Sequence, residues 1–274
     1  METILIATDF SDAANNAADY AVGLAKLLST KLVLVNAYNL PYTTYETGTT
    51  GDVIGVLQEA SNKGLEHLKD RIQQSNKYRF GITSYSDVGF AEDMIIETAK
   101  KVDADLIVMG ITGEGGRIKE NLIGSTAIKV ARNTDVPVFI VPEGVKYHPI
   151  RKISFACDLN KTEESDLIYV SRYFGQLFDA ELDIVNVEEP MVEFSEEKSK
   201  TYAVMNKKLE TLSHKSVFIT ESNTGKALEE YFNEHPTDVV MINPRKHDLF
   251  HNLFSRSIAK ELAFHCKYPL LCIH

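Results

Sequence analysis

METILIATDFSDAANNAADYAVGLAKLLSTKLVLVNAY, residues Met1 to Tyr38, is the stretch whose reading decides the fold. Residues 3 to 8 are a short, mostly apolar run that predicts a buried strand ending at Thr8-Asp9. Ser11 then stands where a helix N-cap is wanted, and Ala14, Ala17, Ala18, Ala21, Leu24, Ala25 and Leu28 recur at three- and four-residue spacing. That stripe gives the helix one face to lay on a sheet. Residues 32 to 37 form a second apolar run, so the chain reads strand, helix, strand, the unit that joins parallel strands. The pattern continues with strands predicted at 80 to 86, 105 to 109 and 136 to 141.

The same profile is written a second time. IRKISFACDLN, from Ile150, repeats the opening run with Asp158 opposite Asp9. KLVLVNAY (31–38) matches ELDIVNVE (181–188), DADLIVMG (103–110) matches PTDVVMIN (236–243), and DVPVFIVP (135–142) matches KYPLLCIH (267–274). Four matches in one order, at offsets near half of 274 residues, mark a duplication, and PEGVKYHP (142–149) interrupts any regular pattern between the copies. Two domains are therefore expected, 1–146 and 147–274, and each carries a net charge of −5.

Composition narrows the function. A chain 44% hydrophobic and 25% charged has the makeup of a globular protein, and a net charge of −10 without a basic patch opposes nucleic-acid or anionic-membrane binding. No apolar run approaches the roughly 18 residues needed to span a bilayer, and no leader pattern opens the chain, so a soluble, cytoplasmic protein is expected. Cys157, Cys266 and Cys272 lack any C-x-x-C spacing and read as small buried hydrophobes.

In an open parallel sheet, ligands sit beyond the carboxyl ends of the strands where the strand order reverses, which directs attention to the residues after strands one and four. After strand four comes GITGEGGRIKENLIGSTAIKVARN, Gly110 to Asn133, with glycines at 110, 113, 115, 116 and 124. Glycines admit close backbone approach and positive φ, and Gly124-Ser125-Thr126 would open a helix whose N–H groups favour an anion. A phosphate cradle and a plain turn both fit these residues. No Walker loop occurs, and no glycine-rich turn follows the first strand as a dinucleotide fingerprint would require. Asp9, likewise, fits either a ligand contact or a partner for a helix dipole.

With these motifs the chain resembles the universal stress proteins, in their tandem two-domain form, over essentially its whole length. The family's nucleotide-binding members carry G-x2-G-x9-G-[ST] after strand four and an Asp after strand one. Here the run is Gly110-x2-Gly113-x10-Gly124-Ser125, one residue longer, with the insertion read within EGGRIKENLI, and the Asp is Asp9. The resemblance implies two flavodoxin-like (adenine nucleotide alpha hydrolase-like) α/β domains, with parallel five-stranded sheets in order 3-2-1-4-5. It implies ATP or AMP as ligand, with Mg²⁺ bridging the phosphates if ATP is bound. Ala7, Thr8 and Asp9 would meet adenine and ribose, Ala37 would bond the base through its backbone, and Met109, Gly110 and Gly113 would line the ribose and phosphates. Gly124, Ser125 and Thr126 would hold the distal phosphates, with Arg117 or Lys119 as charge partners.

The second half departs from that pattern. Asn243 and Lys246 stand opposite Gly110 and Gly113, and Ser255-Arg256 opposite Gly124-Ser125, so Cβ atoms would obstruct phosphate and this copy reads as scaffold. His247-Asp-Leu-Phe-His251 echoes a zinc-protease helix, yet Asp248 replaces the Glu and no third ligand follows at the required spacing; surface histidines beside Leu249, Phe250, Leu253 and Phe254 are the plainer reading. No Gly-x-Ser-x-Gly occurs. PYTTYETGTTGD (41–52) reads as a solvated connection or as a cover over a bound nucleotide. A nucleotide-binding stress-response protein is expected, with a slow ATPase and a nucleotide-free interaction module as rival classes. The resemblance further implies that the apolar last strands of the two halves pair within the chain as a pseudo-dimer, any homodimer being built on other surfaces.

Overall fold

A computed structural model describes residues 1–39, 50–76, 80–112, 125–157, 165–188, 190, 196–244 and 267–274. The chain divides into two compact units, Met1–Tyr147 and His148–His274. Loop 41–49, the glycine run from Gly113 to Gly124, Asp158, Cys266, the His247/His251 pair and Lys246, Ser255 and Arg256 lie outside the described residues.

In the first unit, β1 (Thr3–Ala7), β2 (Lys31–Tyr38), β3 (Ile82–Val88), β4 (Leu106–Ile111) and β5 (Val138–Pro142) lie in the order β3-β2-β1-β4-β5. All neighbours are parallel, Ile4 pairing with Leu32 on one side and Leu106 on the other. The crossovers between them are supplied by α1 (Asp12–Leu28), α2 (Thr50–Asn76), α3 (Ala91–Lys101) and α4 (Ser125–Asn133). The order reverses between β1 and β4, because chain growth passes outward through β2 and β3 and then returns to the far side of β1. Ile4, Leu5, Ile6, Leu106, Ile107 and Val108 are wholly buried, as expected of central strands covered on both faces.

The predicted start of α1 is found atom for atom: Ser11 Oγ accepts the Ala14 N–H at 3.2 Å. The helix stops at Ser29, which takes the left-handed conformation (φ 56°) while its N–H returns to the Ala25 carbonyl. Asn16, buried on the same helix, donates its side-chain amide to the carbonyls of Pro142 (3.1 Å) and Val145 (2.9 Å), and accepts from Lys146 Nζ at 2.9 Å. The Tyr147 ring meets Tyr20 edge-on and lies where a Cβ on Gly23 would come within 2.2 Å of it. Burial pushes the Tyr147 hydroxyl to a higher pKa. The segment leaving the first unit is thus strapped along α1 as far as residue 147.

The second unit repeats the plan, with β6 (Lys152–Ala156), β7 (Glu181–Glu188), β8 (His214–Thr220), β9 (Val239–Ile242) and β10 (Leu270–Cys272) in the order β10-β9-β6-β7-β8, all parallel. Its described helices are α5 (Ser165–Phe178), α6 (Glu196–Leu209) and α7 (Thr224–Glu234). The duplication extends to single hydrogen bonds. Asp105 Oδ2 accepts the N–H groups of Glu2 and Thr3 (2.6 and 3.0 Å), and Asp238 Oδ2 accepts those of Arg151 and Lys152 (2.7 and 2.9 Å). Asp179, opposite Ser29, is again left-handed, with φ 52°. Cys157 and Cys272 are buried and belong to no disulfide. None of the described helices is long and apolar enough to cross a membrane.

Candidate functional site

At the carboxyl ends of β1, β2 and β4 a cavity of about 410 Å³ opens in the first unit. Volumes of this order hold small-molecule ligands. Of the residues singled out from sequence, Ala7, Thr8, Asp9, Ala37, Met109, Gly110 and Thr126 line it together. Ser125 begins α4, while Gly113, Gly124, Arg117 and Lys119 are outside the described residues.

Each wall has a local cause. Beyond Ala7 the strand gives way to a turn in which Thr8 Oγ1 accepts the Phe10 N–H and Asp9 Oδ1 accepts the Ser11 N–H, both at 3.0 Å. Phe10 occupies the left-handed region (φ 64°), unusual for a bulky residue, and its ring packs where a Cβ on Gly64 would come within 2.5 Å. This turn leaves Asp9 exposed at the cavity and Thr8 buried beneath it. Val35, Ala37, Ala91, Ile95, Met109 and Ile111 form an apolar wall. Thr8, Ser11, Thr112 and Thr126 place hydroxyl groups around the cavity. Thr126 and Ala127 belong to the first turn of α4, whose N–H groups and dipole favour negative charge.

Gly110 has a packing role besides its place in the cavity lining. It lies inside β4, paired with Val141, one residue before the strand ends at Ile111, and a Cβ there would sit 2.3 Å from the Ala13 carbonyl oxygen of α1. Close packing of helix on strand requires the glycine, with or without a phosphate nearby. Ser11, Ala91, Ile95 and Thr112 were not singled out as lining residues. Ser11 was legible as a cap, whereas Ala91 and Ile95 enter because α3 starts at the carboxyl end of β3, a strand end that the focus on strands one and four passed over.

Asp9 is the one titratable side chain among the described lining residues. No group of three His, Cys, Asp or Glu side chains able to hold a metal ion occurs among the described residues.

Residues 1–142, half of the chain, match the model of the universal stress protein family. The chain belongs to the universal stress protein family. It is similar to a universal stress protein of Methanocaldococcus jannaschii, 29% identical over 147 residues that make up 52% of this chain and 83% of the relative. Among solved structures it is similar to a universal stress protein from Archaeoglobus fulgidus DSM 4304, with a TM-score of 0.76 over 99% of this chain and 97% of the other at 19% identity. A functionally unknown protein from Pseudomonas aeruginosa PAO1 aligns with a TM-score of 0.64 over 100% and 92% at 12% identity. At such identities the two structures speak to the fold alone: this universal stress protein has two α/β units with parallel sheets.

Proposed function

We propose that this universal stress protein binds an adenine nucleotide, ATP or AMP, in the strand-end cavity of its first unit. One observation carries the reading: a single cavity combines an apolar wall suited to a purine, a carboxylate at Asp9 suited to ribose hydroxyls, and the first turn of α4 suited to phosphate. Gly113, Gly124 and the side chain of Ser125 would complete the phosphate end, with Mg²⁺ bridging the phosphates of ATP. Binding rather than turnover is the reading we adopt, because Asp9 already accepts the Ser11 N–H and a γ-phosphate would still need a group that orients water. The second unit, with Asn243 at the position of Gly110, serves as scaffold. Calorimetric titration of the intact chain with ATP and with AMP is the test. One site per chain is expected, whereas two equivalent sites, or no heat with either ligand, would overturn the proposal.

On sequence grounds alone we also propose that the apolar last strands of the two halves cover one another within the chain.

A further inference from the structure

Thr8 follows the last residue of β1, where the regular ladder ends, and its two backbone groups are held differently. Its N–H donates to the Val35 carbonyl at 2.9 Å, an extension of the sheet. Its carbonyl has no strand to serve it and accepts instead from Asn36 Nδ2 at 2.7 Å. Asn36 is 7% exposed, and its Oδ1 accepts the Ser61 hydroxyl at 2.6 Å; Ser61 Oγ in turn accepts the Ser86 hydroxyl at 2.7 Å. Every donor in this chain points the same way, from Ser86 on β3 through Ser61 on α2 and Asn36 on β2 to Thr8, an arrangement in which successive bonds polarise one another.

The second unit keeps the asparagine and has lost the chain. Cys157 N–H donates to the Val185 carbonyl at 3.0 Å, just as Thr8 does to Val35, and Asn186 occupies the position of Asn36. Yet Asn186 is wholly buried with neither Nδ2 nor Oδ1 bonded among the described residues, and the residue paired with it on the neighbouring strand is Phe218, where Asn36 is paired with Ser86. Among the described residues this relay is found in the unit whose first-strand turn lines the cavity with Thr8 and Asp9.

We propose that Asn36 is a positioning residue for the ligand site: braced by Ser61 and Ser86, it holds the Thr8 carbonyl and thereby sets the Thr8–Ser11 turn that presents Asp9. The inference rests on the adenine-nucleotide reading. Its cause is preorganisation, since a turn fixed before binding need not be ordered at the moment of binding.

The test uses the full chain and three proteins: the unaltered protein, Asn36→Leu, which keeps the branching at Cγ and removes both bonds, and Ser86→Ala, which removes only the far end of the relay. ATP and AMP affinities are measured by calorimetry well below the melting temperature, and the backbone amide resonances of Asp9, Phe10 and Ser11 are recorded without ligand. Asn36→Leu should weaken ATP and AMP alike by about tenfold, Ser86→Ala by less, with all three amide resonances displaced in the ligand-free protein. A purely structural role would lower the melting temperature without that graded, turn-specific pattern. If the unaltered protein binds ATP while Asn36→Leu binds it equally well with undisturbed resonances, the positioning role is overturned and the nucleotide reading stands. If the unaltered protein takes up neither nucleotide, both fall. Should Asn36→Leu fail to fold, Ser86→Ala decides: a weakened affinity supports the role, and an unchanged one overturns it.

Discussion

Gly110 and Gly124 belong to one motif, and the proposed nucleotide site assigns them different physics. With the Ala13 carbonyl 2.3 Å from where a Cβ would stand, Gly110→Ala must push α1 off the sheet. We expect it to cost about 1–3 kcal/mol and to lower the melting temperature of the ligand-free protein. Gly124→Val, by contrast, should leave the melting temperature near that of the parent and abolish ATP binding, because a β-branched side chain there would obstruct phosphate approach. Equal thermal effects of the two substitutions would show that the motif acts as one unit. At this scale the sequence was legible wherever a residue's partner is close in the chain, as with Ser11 and Ala14. It was silent where the partner comes from another element. Nothing in ATDFSD announces that Phe10 turns left-handed over Gly64, 54 positions on, or that Asn36 serves Thr8.

Among the elements, β7 departs from its counterpart β2 at one buried position. Asp183, in the place of Val33, is wholly buried, and its Oδ2 receives Tyr231 Oη at 3.0 Å, Lys152 Nζ at 3.1 Å and Lys215 Nζ at 3.4 Å. Burial, with Asp183 next, raises the Tyr231 hydroxyl far above its usual pKa. Asp183→Ala would strand two lysines beside an apolar sheet, and we expect a loss of about 3 kcal/mol in urea unfolding of the second unit. Asp183→Asn, which keeps a hydrogen-bond acceptor for Tyr231, should cost less. Burial pushes the Cys272 thiol up to about 12 from an ordinary value of 9.0. A raised folded-state pKa means stability that is complete below pH 9 and is lost as pH climbs toward 12, since the unfolded chain ionises first. Cys272→Ala should flatten the alkaline limb of the stability profile measured by denaturant titration between those limits. The succession of strands and helices along the chain was legible from alternating apolar runs and helical stripes, because every central strand is covered on both faces, whereas the spatial order of the strands came from the resemblance to the family. The polar cluster on β7 was not, since its lysines and tyrosine come from three other elements.

For the molecule as a whole, the family match ends at residue 142 while the first unit runs to Tyr147. Residues 143–147 are held by Asn16, by Lys146 and by the Tyr147 ring over Gly23. A fragment 1–142 should therefore be about 2 kcal/mol less stable than 1–147 in urea, through the unmade bond to Asn16 and the uncovered ring contact. Equal midpoints would show the strap to be ornamental. If the last strands cover one another in the intact chain, 1–147 alone should also self-associate in sedimentation experiments, and a monomer at high concentration would contradict that proposal. The strap has a mechanical consequence as well. A tension applied through residue 148 reaches the first unit along the spine of α1, at Tyr147 on Tyr20 and at Asn16, before it reaches β5. The same helix lines the strand-end cavity through Ala13 and Ala14, within a turn of Asn16. Pulling on the chain at residue 148 would thus load the cavity wall through its own helix, as a cable loads its anchorage.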